Sequence, residues 1–407
     1  MATFVVTTTV TQSSGRYASA GLSAALIWLV VGQLAATSGV DPLKQSAPAR
    51  RTKVVAWSAA AWFVTLTING WYFHHTWPWN RIVFVAPPVI LVACMVSRMS
   101  LRQHRILARG IVGVAAFQSA FGAYLFATQQ RGPWVPAEDV DRDNPLPLMQ
   151  GATRVMGTMQ HPIPYALFLT AALLLVVSNA TAWNWRRRLL AGAVIFGGVY
   201  LSGSRSAFLA GAVGIAVFAL QGVDLRRWFK NLVGLAVLFF VGRLVIGGSV
   251  SEVSSDLTGS ASYLQRQSSI DSISKLIGRH GLEAWFGTGF GDIKILYDRG
   301  WLYTPYDFRQ VDNWFVYVLG TTGIVGVSIF AIIWVTMFVR VSRLGRAQIA
   351  LFTSYFVVFD TFIWSAMLFL FFMLVAMDSP ATKRYIQRLT RRDSRESEDK
   401  LPAGATS

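Results

Sequence analysis

Long apolar runs separated by short polar ones set the plan of this 407-residue chain. Runs at about 18–36, 54–71, 82–97, 106–126, 163–180, 189–203, 206–222, 231–248, 312–339, 347–359 and 361–377 predict eleven membrane-crossing helices. The last two are read as short spans turning near Asp360, because one long tilted helix would put the basic tail on the wrong side. Residues 2–12 are too polar and too short for a further span. The run at 18–36 has no small-residue cleavage site clearly placed after it and reads as a span, not a signal peptide.

The polar intervals divide the chain. Residues 1–248 hold eight spans with an outer loop at 129–162 that is rich in Pro and Asp. Residues 249–311 form a larger outer loop, 312–377 carry the remaining spans, and 378–407 are a polar, mixed-charge tail of disordered composition. Within the large loop, Leu264, Ile270, Ile273, Leu276 and Ile277 recur at near-helical spacing, which predicts an amphipathic helix lying on the membrane or against the spans. Gly287, Gly289 and Gly291 then break the chain. Trp71, Trp77 and Trp79 read as an interfacial belt, and His74 and His75 as solvated loop residues.

Composition agrees. The chain is 53% hydrophobic and 14% charged, where a soluble domain is nearer a quarter charged. A net charge of +17 invites a nucleic-acid partner, but its distribution excludes the need for one. The basic loops, the adjoining span ends and the tail hold 24 Lys/Arg against 7 Asp/Glu, and everything else holds 13 of each. The whole excess lies on one face, as the positive-inside rule requires of a cytoplasmic side, and it also attracts anionic lipid headgroups. The N-terminus then falls outside and the C-terminus inside. The lone Cys94 excludes an intramolecular disulfide and a cysteine-based metal site.

No phosphate-binding glycine loop, zinc pattern, serine elbow or paired acidic metal motif is present. The candidates are therefore charges at the outer face. Arg205 stands in a Ser-Gly-Ser-Arg-Ser break between two apolar runs, where its guanidinium can fork onto phosphate oxygens or extend to headgroups. Arg243 lies near the outer end of its span and faces the same choice. Asp312, opening the span at 312–339, can cap a helix or accept a proton from a sugar hydroxyl. His161 and His280 are further candidate bases, each equally suited to solvation or capping. Trp285, Trp301, Tyr303 and Tyr306 can stack on sugars or pack within the loop.

Four stretches, GTMQHPIPYALFL (157–169), LSGSRSAFLAG (201–211), YLQRQSSIDSISKLIG…WFGTGFG (263–291) and DNWFVYVLGTTGIVG (312–326), occur in an order that resembles the O-antigen ligase/O-antigen polymerase superfamily of bacterial membrane glycosyltransferases. The resemblance implies an all-α, GT-C-like polytopic fold. It also implies twelve spans with both ends inside, one more than the eleven counted. The implied activity is transfer of a glycan from a polyprenyl-diphosphate carrier to a hydroxyl of an acceptor glycan or glycolipid, at the outer face of the plasma membrane, with no metal or cofactor. Arg205 and Arg266, with Arg243, would hold the diphosphate. Ligases of the family use a loop histidine where this chain has Asp312, which makes Asp312 the first candidate base, ahead of His161 and His280. A transporter or flippase of lipid-linked glycans would also turn arginines toward a cavity, but such proteins more often carry internal repeats, and none is seen.

Overall fold

The computed structural model describes residues 50–74, 79–128, 145–146, 149–159, 161–221, 261–291, 293–303 and 311–377. Among them the chain is helical apart from one antiparallel hairpin, β1 (Pro145–Leu146) with β2 (Met149–Thr153). The helices before the large loop are α1 (Arg50–His74), α2 (Trp79–Arg98), α3 (Leu101–Thr128), α4 (Pro162–Val177), α5 (Trp185–Leu201) and α6 (Arg205–Leu220). The loop contributes α7 (Ala261–Ile277), α8 (Leu282–Phe286) and α9 (Ile293–Asp298). Then come α10 (Trp314–Arg340), α11 (Arg343–Phe356), a 3-10 turn (Thr361–Ile363) and α12 (Ser365–Val375). The runs expected at 18–36 and 231–248, Arg243, Tyr306 and the tail lie outside the described residues.

Leu101–Thr128 and Trp314–Arg340 are the two helices here that are long and apolar enough to cross a bilayer by length and composition. α4 is apolar all round and buried along almost its whole length, so it forms the centre, with α3, α5, α6 and α11 packed about it. α1 and α2 pair with each other and pack on α10 and α12.

One end of this bundle is held by arginine. Arg188 donates to Val176 O (3.0 Å) and Val177 O (2.9 Å) at the end of α4. Arg343 donates to Phe218 O (2.6 Å) at the end of α6, and Arg346 to Phe338 O and Val339 O (both 2.9 Å) at the end of α10. The last carbonyls of a helix lack partners and carry partial negative charge, so the basic loops satisfy them directly. Heights below are measured from this basic end.

α10 does not run straight. Gly323 has φ 66° and ψ −168°, outside any helical region. In a straight helix, residues 315 and 330 would lie about 22 Å apart along the axis. The Phe315 and Phe330 ring centroids are 6.4 Å apart. Residues 314–322 therefore fold back on 324–340, with the apex at Gly323. The single span expected at 312–339 is corrected to a short re-entrant half and a descending half. The sequence LGTTGIVG permits the reversal because glycine adopts positive φ without a side-chain penalty.

The large loop grips the apex. Gly287 lies against the backbone of Thr321 and Thr322, and Gly323 against the backbone of Trp285 and Phe286, at distances that leave no room for a Cβ on either. Gly289 N–H donates to Thr321 O (2.8 Å) and Thr288 N–H to Gly320 O (3.2 Å). Asn69 of α1 donates to Phe286 O (2.6 Å) and accepts from Phe290 N–H (3.0 Å). The buried Arg279 guanidinium donates to Leu319 O (2.9 Å), Gly320 O (3.0 Å) and Leu276 O (2.8 Å). A cation at the carbonyl end of the re-entrant half also matches its dipole. Replacing Arg279 by Met takes the guanidinium from Leu319 O and Leu276 O and leaves Gly320 O with Thr288 N–H alone, and should cost about 3 kcal/mol. A lowered melting temperature in detergent checks this, with Arg279→Lys falling between Met and wild type.

The helix predicted in the large loop is α7, but its buried face differs from the expected stripe. Ser268, Ser269, Ser272 and Leu276 are buried, whereas Ile270 and Ile277 are exposed. The serines bond back to their own helix, as Ser272 Oγ does to Ser268 O (2.7 Å), so their small side chains let α7 approach closely at no polar cost.

Candidate active site

Helix lengths place the site. At about 1.5 Å rise per residue, residues 324–340 climb about 25 Å from the basic end, α11 about 21 Å and α12 about 16 Å, whereas α1 is about 37 Å long. The 357–364 turn joining α11 to α12 therefore lies below the apex of α10. The turn near Asp360 is where the charge pattern put it.

The foot of the re-entrant half is fastened to that turn. Asn313 is the N-cap of α10: its Oδ1 accepts from Val316 N–H (3.1 Å) and its Nδ2 donates to Val357 O (3.2 Å). Trp314 meets Phe362 edge to face at 5.3 Å, and Phe356 packs on both Phe315 (5.7 Å) and Phe330 (6.0 Å). Asp312 is thus freed from the capping role open to it in the sequence. It lies next to Asn313, whose side chain is bonded to the turn.

Side chains of four segments are coupled electrostatically here. Arg266 of α7 and Asp312 lie within electrostatic reach of each other. Burial pushes the Asp312 carboxyl up to about 6, and the Arg266 guanidinium pulls the other way. Burial likewise lowers Arg266, opposed by Asp312, and leaves its Nε without a hydrogen-bond partner. Arg266, though in the large loop, is therefore only partly exposed. The phenol of Tyr297, on α9, is raised by burial and then by the carboxylates of Asp312 and Asp360. Asp360 begins the 3-10 turn, is 1% exposed and makes no cap hydrogen bond.

A second group adjoins the turn from its other side. His161 stacks on Phe359 (5.6 Å) and meets Trp364 at a tilt (6.0 Å). Its Nδ1 accepts from Ile163 N–H (3.2 Å), which makes it the N-cap of α4 and leaves the ring proton on Nε2. Burial, then the nearby Arg154 guanidinium, push the imidazole down to about 4. His161 thus takes the capping role that its sequence context also left open to it. Arg154 Nε donates to Ser202 O (3.0 Å) at the C-cap of α5, two residues before the N-cap of α6.

Arg205 is the first residue of α6, after a turn in which Gly203 has φ 62°. The helix break read from the sequence is present there. Arg205 shares with Arg154 and His161 the end of the bundle away from the basic loops, but no contact joins it to Arg266 among the described residues. His280 is exposed, beyond the end of α7 and about 16 Å along that helix from the level of Arg266. Its exposure matches the solvated role that its sequence context also left open to it. Trp301 is engaged by the guanidinium groups of Arg279 (5.3 Å) and Arg299 (5.2 Å) and is not open for sugar stacking, while Trp285 and Tyr303 are exposed.

Arg154, Tyr297, Asp360 and Arg279 were not among the sequence candidates for chemistry. Asp360 carried one usable signal, an acid between two apolar runs. Among the described residues no group of three or more His, Cys, Asp or Glu is placed to hold a metal ion. Compared with models of known protein families and with curated proteins, the chain matches none.

Proposed function

We propose that this chain is a membrane glycosyltransferase that moves a glycan from a polyprenyl diphosphate to a hydroxyl of an acceptor glycan at the outer face of the plasma membrane. The observation that carries the reading is that Arg266 and Asp312, both half-buried, lie within electrostatic reach of each other at the foot of the folded-back half of α10. Exposed apolar side chains along the bundle, among them Trp57, Leu189, Leu190 and Ile332, suit a lipid environment. With the basic end cytoplasmic, the turn at 357–364 falls within the hydrocarbon thickness of about 30 Å. Ionisable groups at that depth are costly and are a mark of function. The multi-span plan, the outward N-terminus and the inward tail follow from the charge pattern, with 312–322 removed from the spans.

In this reading the acceptor hydroxyl gives its proton to the Asp312 carboxylate and its oxygen attacks the anomeric carbon. The bond from that carbon to the diphosphate breaks, and the electron pair leaves with the diphosphate. Arg266 and Arg205 stabilise the negative charge that grows there; Arg243 would join them from its span. Non-helical backbone is tolerated at membrane depth where protein buries it, which is the role of the large loop around Gly323.

The test is transfer by the purified protein in nanodiscs, with lipid-linked donor and acceptor and no ion gradient. New glycosidic product supports the reading. Arg205→Lys keeps the charge but loses the fork and should lower the rate about 10²-fold. An unchanged rate in Arg205→Ala at normal protein levels would remove Arg205 from the mechanism. A second reading, a transporter of lipid-linked glycans, draws on the same discontinuous helix and buried charges. Translocation of donor without product in that assay would favour it.

A further inference from the structure

We propose that Arg154 is a positioning residue for the diphosphate: its Nε–H holds the turn between α5 and α6 so that Arg205 is presented from a fixed backbone. The proposal rests on the glycosyltransferase reading and adds what places the arginine that reading uses.

The turn gains little from its own side chains. Gly203 has φ 62°, and Ser204, the N-cap of α6, makes no side-chain cap bond; its Oγ meets Ser206 Oγ instead (3.0 Å). Among the described residues the Arg205 side chain has no hydrogen bond or ion pair to locate it. Its place is therefore set by the backbone of the turn, which leaves α5 at the C-cap Ser202 and enters α6 at Arg205.

Arg154 and Val155 brace that backbone from outside. Arg154 Nε donates to Ser202 O (3.0 Å), and Val155 N–H donates to Leu201 O (3.1 Å). The bracing segment is itself fixed on α3. Val155 is buried and fills the space that Gly122 leaves. Thr158 N–H donates to Gln118 Oε1 (3.1 Å), and Thr158 Oγ1 accepts from Gln118 Nε2 (2.5 Å). A run of packed and bonded groups thus joins α3 to the start of α6.

The last carbonyls of a helix lack partners within it, so a donor at Ser202 O also serves as a cap. This carbonyl, however, stands in the turn that carries Arg205. A displacement of about 1 Å at a binding group can cost on the order of 10²-fold in rate. The bonding atom is Nε, not the tip of the guanidinium, so a neutral side chain with a donor at that position can replace it. Glutamine Nε2 stands as many bonds from Cα as arginine Nε, whereas the lysine ammonium stands one bond farther out.

The experiment measures binding of a polyprenyl diphosphate without glycan to the full-length protein in nanodiscs, corrected to the folded fraction. Arg154→Met should weaken binding about tenfold, and Arg154→Gln should stay within about threefold of wild type. Because Arg154 acts through Arg205, adding Arg154→Met to Arg205→Ala should weaken binding no further than Arg205→Ala alone. If Arg154→Met does not fold, the order of the other two variants decides: Gln binding better than Lys supports positioning. Lys binding better than Gln makes the charge itself the contributor and overturns the proposal. Losses that add in the double variant, or a folded Arg154→Met with a lower melting temperature and wild-type binding, also overturn it. Wild-type protein that binds no polyprenyl diphosphate overturns the glycosyltransferase reading itself, a different outcome from a binding protein indifferent to Arg154.

Discussion

Asp312→Asn should lower glycan transfer by about 10²- to 10⁴-fold, the usual share of a general base, while making the protein more heat-stable at neutral pH. The first effect follows because asparagine keeps the shape and cannot accept the proton. The second follows from linkage. The folded-state carboxyl is held at about 6 against an ordinary 3.8, so the fold prefers its neutral form. Between about pH 4 and pH 6 the native state binds more protons than the unfolded chain, and stability falls as pH rises. The penalty is complete above pH 6 and absent below pH 4. The variant lacks it, so its melting temperature should match wild type at pH 4 and exceed it at pH 7.5. The wild-type rate should rise with pH through about 6, and the residual rate of the variant should not. A purely structural Asp312 would leave the transfer rate unchanged.

Gly323→Ala should prevent accumulation of folded protein or cost about 4 kcal/mol or more, through strain and collision together. Gly281 separates the two. It has φ 67° and ψ −150°, close to Gly323, but nothing within 4 Å of an added Cβ. Gly281→Ala meets the same backbone strain, about 1–3 kcal/mol, without the collision. Gly323→Ala adds contact with the backbone of Trp285 and Phe286. Melting curves of the two proteins in detergent give the difference, and equal losses would contradict the interlock between the large loop and the α10 apex.

How far the sequence foretold this can be followed at particular residues. Ser202–Gly203–Ser204 announced a break because small polar residues interrupt two apolar runs, and the break is there. The turn at Asp360 was legible because only an even number of crossings fits the basic tail. The position of α7 was legible from its aliphatic spacing, but its buried face was not, since Ser268, Ser269 and Ser272 look polar and gain their burial by bonding to their own helix. The reversal at Gly323 left no local trace. VLGTTGIVG is apolar enough to continue a span, and only the loop packed against it reveals why it turns. The depth of Asp312 depends on that reversal and was hidden with it. Arg154 and Arg279 looked like ordinary loop arginines, because what they hold, carbonyls at distant helix ends, is set by tertiary packing.

In the proposed mechanism the two arginines hold the donor's diphosphate and the acid faces the sugar carbon under attack, so a density map of the protein with a bound polyprenyl diphosphate tests it most directly. The phosphate oxygens should lie within about 3 Å of the Arg205 and Arg266 guanidinium nitrogens, with the Asp312 carboxylate on the side the sugar occupies. An ordered diphosphate seated away from both arginines, in a protein that still makes product, would contradict it.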